Sequence, residues 1–106
     1  MAQLFSLGVS AFMSFTSAPA DKAAADFVAT ELERLMSLPL DTLEDAKRWD
    51  VACADFQTAL ETRFPSFEVE HHVWHFLADS DIRQKDAGYR HRQHQAISDY
   101  VTRLRH

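Results

Sequence analysis

Hydrophobic and polar positions alternate along residues 4–16. Phe5, Leu7, Val9, Ala11, Met13 and Phe15 take the odd positions, with Ser6, Gly8, Ser10, Ser14 and Thr16 between them; only Leu4 and Phe12 break the pattern. A period of two sends alternate side chains to opposite faces of an extended chain, so this stretch predicts a β-strand. From Asp21 to Leu38 the period lengthens. Ala24, Phe27, Val28, Leu32, Leu35, Met36 and Leu38 gather on one side of a helical wheel with Asp26 and Glu33 opposite, an amphipathic helix that Pro39 stops.

A second helix is expected from Asp41, where Glu44 three residues on gives a capping-box spacing, although that motif prefers Ser or Thr first. Trp49, Cys53, Phe56 and Leu60 form its apolar stripe, flanked by Ala46, Ala52 and Ala59, and it ends before Pro65. Residues 66–77 fit both periods. As a strand, Phe67, Val69, His71, Val73, His75 and Leu77 share a face; as a helix, Phe67, His71, Trp74, Leu77 and Ala78 do. Aromatic and branched content, with the Glu68-Val69-Glu70 alternation, favours the strand. Asp79-Ser80-Asp81 then offers N-caps for a last helix from Ile82 to Leu104, with Ile82, Tyr89, Gln93, Ala96, Ile97, Tyr100 and Leu104 as its buried face. Gly88 within it costs about 1 kcal/mol relative to alanine and marks a bend or a separate short helix.

The resulting order is β-α-α-β-α. It predicts an α+β fold in which a small antiparallel sheet packs on three helices, as a single domain over residues 1–106. Two strands alone are marginal in water, and a strand over residues 4–16 at about 3.3 Å per residue would reach roughly 40 Å. Both points suggest a homodimer that extends the sheet across two copies.

Composition sets bounds on this picture. With 106 residues, 46% hydrophobic and 25% charged, the chain is of ordinary globular character, long enough to bury a core without metal or disulfide staples. Cys53 is the single cysteine, so no internal disulfide forms. Ala18-Pro19-Ala20 has the small-x-small form of a leader cleavage site, but residues 1–15 lack the Lys or Arg of a leader's basic start. The expectation is therefore a cytoplasmic protein without a membrane span, secreted or periplasmic only if residues 1–20 are a cleaved leader. The net charge of −5 divides into −9 over residues 1–81 and +4 over residues 82–106. An acidic body with a basic tail segment suits packing against itself or a second copy.

Chemistry is sparse. Five of the six histidines fall between residues 71 and 94, and His71, His75 and His94 are the candidate metal ligands. No defined zinc spacing is present, so a divalent metal and a metal-dependent hydrolase remain an alternative function. Arg83, Arg90 and Arg92 are the candidate contacts to an anion or nucleic acid, a second alternative that the acidic remainder opposes. Cys53, set within an apolar stripe, reads as a small hydrophobe. The carboxylate pairs Glu68 with Glu70, Asp79 with Asp81 and Glu44 with Asp45 suit a solvated face or helix starts. Gly8 and Gly88, the only glycines, cannot build a phosphate-cradling loop or flank a nucleophilic serine. The reading that follows is a small interaction or regulatory domain without catalytic residues, acting through contacts with a protein partner and pairing as a homodimer.

Overall fold

Val28, Leu32 and Leu35 share one buried hydrophobic cluster with Ile97, Tyr100 and Val101. The first trio lies on α1 (Pro19–Ser37) and the second on α5 (Ala87–Arg105), and these two helices form the most extensive contact in the structure. Three further helices occur among the described residues: α2 (Leu43–Arg63), α3 (His71–Ala78) and α4 (Ser80–Lys85). The computed structural model describes residues 19–106.

Helices take up 83% of the described residues, and no strand occurs among them. The fold is a helical bundle, which corrects the expected α+β class and its antiparallel sheet. The alternating stretch over residues 4–16 lies outside the described residues. The second expected strand is overturned directly, because residues 67–70 have no regular structure and His71–Ala78 is helical. Its buried residues are Val73, Phe76 and Leu77, a spacing of three and then one that only a helix gathers on one face. Phe76 sits edge-on to Trp49 with ring centroids 5.2 Å apart, so packing against α2 outweighs the weak strand propensity of the segment.

Helix α1 buries Ala24, Val28, Ala29, Leu32 and Leu35, the i, i+4, i+7 series that its sequence displays. The stripe of Trp49, Cys53, Phe56 and Leu60 on α2 is buried as expected. Its start is one residue later than Asp41 predicts. Thr42 is the N-cap: its hydroxyl accepts from the Asp45 amide at 3.0 Å, while the Asp45 carboxylate accepts from the Thr42 amide at 3.1 Å and the Asp41 amide at 3.0 Å. Threonine and aspartate thus close the reciprocal box, and Glu44 is left in the exposed first turn. The loop before α3 is tied to the end of the chain, since the Arg103 guanidinium donates to the Glu70 carboxylate at 2.9 Å and the Tyr100 hydroxyl accepts from the Glu70 amide at 3.3 Å.

The expected single helix from Ile82 to Leu104 is two. The chain breaks at Asp86, whose carboxylate accepts from the Tyr89 amide at 3.0 Å and caps α5; Gly88 lies inside the new first turn. The break shifts the helical phase. Ile82, expected inside, is 42% exposed, and its neighbour Arg83 takes the interior place with 1% exposure. Of the remaining expected face, Ile97 and Tyr100 are buried, Tyr89, Gln93 and Leu104 are half-buried, and Ala96 is exposed.

Candidate functional site

Arg83 is the only polar side chain buried outright among the described residues. Asp79, which ends α3 and precedes α4, starts the short helix that carries Arg83 inward under α5. Its guanidinium lies over two rings, 4.3 Å from the Phe76 centroid and 4.8 Å from that of Trp49. One terminal nitrogen donates to the Phe76 carbonyl at 2.5 Å and to the Gln93 side-chain oxygen at 2.6 Å. Nε and the other terminal nitrogen have no acceptor among the described residues. A cation so placed is held by ring faces and two oxygens, and burial lowers its affinity for the proton while Cys53 and Asp79 oppose that effect.

A polar chain leads from this cation to the surface. Gln93 donates to the Asp79 carboxylate at 3.3 Å and to the Tyr89 hydroxyl at 3.1 Å, and Tyr89 donates to Asp79. The hydrogen bond to Asp79 pushes the Tyr89 phenol upward, because losing its proton would set a phenolate against a carboxylate. His94 stands beside the same cluster, its ring 5.9 Å from that of Phe76. Burial, then the charges of Arg83 and Arg90 and the neighbouring His91, hold its proton affinity below the usual range.

The three candidate metal ligands are therefore divided. His71 and His75, one turn apart on the exposed side of α3, bring their Nε2 atoms to 3.1 Å with ring centroids 4.8 Å apart. His94 packs instead beside Phe76, on the buried side of α3. No group of three or more His, Cys, Asp or Glu placed to hold a metal ion occurs among the described residues.

The candidate anion contacts are divided too. Arg83 is enclosed, Arg90 is half-buried, and Arg92 is exposed with its guanidinium 5.9 Å from the Tyr89 ring centre. Two other arginines of the basic segment are engaged by carboxylates, Arg103 by Glu70 at 2.9 Å and Arg105 by Glu33 at 2.7 Å. Cys53 lies inside, and desolvation pushes its thiol up to about 12, which removes the thiolate at neutral pH.

A surface that the sequence reading passed over lies along α2. Leu43 is 73% exposed and Val51 is 61% exposed. Val51 borders a shallow groove of about 400 Å³ between α1 and α2, with Leu38 and Ala52 as its apolar wall and Arg34, Lys47, Arg48 and Asp55 around it. The signal was present in the sequence as apolar residues on the α2 flank opposite the Trp49 stripe. No helix among the described residues is long and apolar enough to cross a membrane. No protein-family model, curated protein or solved structure matches the chain.

Proposed function

We propose that this protein is a small interaction module that works through protein contacts, and that α2 supplies the surface on which it pairs with a second copy of itself. The observation that carries this reading is the exposure of Leu43 and of Val51, the latter bordering an apolar groove. Leu43, Lys47, Val51 and Asp55 follow one another at intervals of four, a ridge of the kind that packs into the groove of a neighbouring helix. A two-fold axis through Val51 sets this ridge against its own reversed copy. Val51 then meets its counterpart, and each Lys47 faces the Asp55 of the other copy, so one surface supplies both charges of two equivalent pairs. Such complementarity fixes register and excludes a parallel alignment, which would set like charges together.

Sedimentation equilibrium tests the proposal. A dimer is expected at tens of micromolar, and Val51→Glu is expected to leave monomer by placing four carboxylates around the axis. Lys47→Asp and Asp55→Lys each weaken pairing, and the two together restore it. A monomer at hundreds of micromolar, or a dimer indifferent to these substitutions, overturns the reading.

A further inference from the structure

We infer that His71 and His75 form a two-nitrogen site for a divalent transition-metal ion on the outer face of α3, independent of the pairing surface. Residues one turn apart on a helix lie side by side, and here the two Nε2 atoms approach to 3.1 Å. With metal–imidazole bonds of about 2.0–2.1 Å, an ion touching both nitrogens at that separation subtends an angle of about 100°. That value lies between the right angle of square-planar or octahedral ligands and the wider tetrahedral angle, so the separation of the two nitrogens suits a shared ion once the rings turn their Nε2 lone pairs toward it.

The chemistry of the pair agrees with the geometry. In the metal-free form one ring donates a hydrogen bond to the other; when both protons sit on Nδ1, both Nε2 lone pairs are open to a cation. Both side chains are exposed, so water completes the coordination sphere and the ion reaches the site without opening the fold. Neutral imidazole selects borderline ions over calcium or magnesium, and among first-row divalent ions copper binds most tightly. Trp74, 39% exposed and lying between the two histidines in sequence on the same short helix, serves as the reporter of occupancy.

The test is titration of untagged protein with Cu²⁺ alone, followed by calorimetry and tryptophan fluorescence. One ion per chain and quenching that is lost on Trp74→Phe are expected. His71→Ala and His75→Ala should each weaken binding at least tenfold, while His91→Ala, also exposed, leaves it unchanged. Zn²⁺ should shift the ring resonances of His71 and His75 and leave those of His94 in place. Equal Cu²⁺ affinity in the doubly substituted protein, or no binding at 100 µM, overturns the inference. Because neither histidine belongs to the α2 ridge, failure here leaves the pairing proposal standing, and the converse holds.

Discussion

Arg83 holds Phe76 twice: its guanidinium donates to the Phe76 carbonyl and lies 4.3 Å from the centre of the same residue's ring. A single side chain thereby anchors α3 to α4 through backbone and ring together. Arg83→Ala removes both hydrogen bonds and leaves a void against Trp49, and should destabilise the fold by about 3 kcal/mol. Arg83→Met fills the space with an apolar chain and should cost markedly less, since a buried charge is often replaceable by a hydrophobe of similar volume. Urea unfolding of the two variants checks the order; equal losses would contradict it.

The start of α2 should be acid-sensitive. The backbone amide of Asp41, then the amide and hydroxyl of Thr42, hold the Asp45 carboxyl below its ordinary value of 3.8. Its stabilising contribution is thus complete above that pH and disappears as the pH falls through the lower folded-state value. Asp45→Asn should flatten this acid limb, and Thr42→Ala should cost about 1 kcal/mol at pH 7. Denaturant midpoints between pH 2 and pH 7 provide the comparison.

His94 gives a second pH dependence of the same sign. Burial, with Arg83 and Arg90 nearby, keeps its ring neutral to a lower pH than its ordinary 6.5. The unfolded chain therefore takes up a proton first, and stability should fall as the pH drops from 6.5 toward the folded-state value. His94→Gln should reduce that slope. An NMR titration midpoint for His94 at or above 6.5 would refute the assignment.

Cys53 should resist alkylation in the folded protein. A thiol near 12 instead of 9.0 carries roughly a thousandth of the thiolate at pH 8, and the side chain is only 8% exposed. Iodoacetamide labelling should therefore be negligible under native conditions and become rapid in urea.

Which parts of this architecture were legible depended on whether one periodicity fitted alone. Trp49, Cys53, Phe56 and Leu60 satisfy only the helical period, and all four are buried as expected. Residues 66–77 satisfy both periods, because His71 and Leu77 belong to either face; the decision rested on Trp49 packing edge-on to Phe76, a contact between distant segments. The burial of Arg83, by sequence a candidate contact to an anion or nucleic acid, is hidden for the same kind of reason. Its shelter comes from Trp49, Phe76 and Gln93 on three other helices, and nothing adjacent in sequence reveals that meeting. The histidine pair was legible in its spacing of four, whereas the separation of His94 from it follows from the packing of His94 beside Phe76, on the opposite side of α3, a contact between distant segments.

The dominance of the α1–α5 contact has a consequence for biosynthesis. The first described helix finds its main partner only in the last described one, so the core closes only once α5 has left the ribosome. Until then Val28, Leu32 and Leu35 remain without their cover, and the nascent chain presents a greasy strip that chaperones recognise.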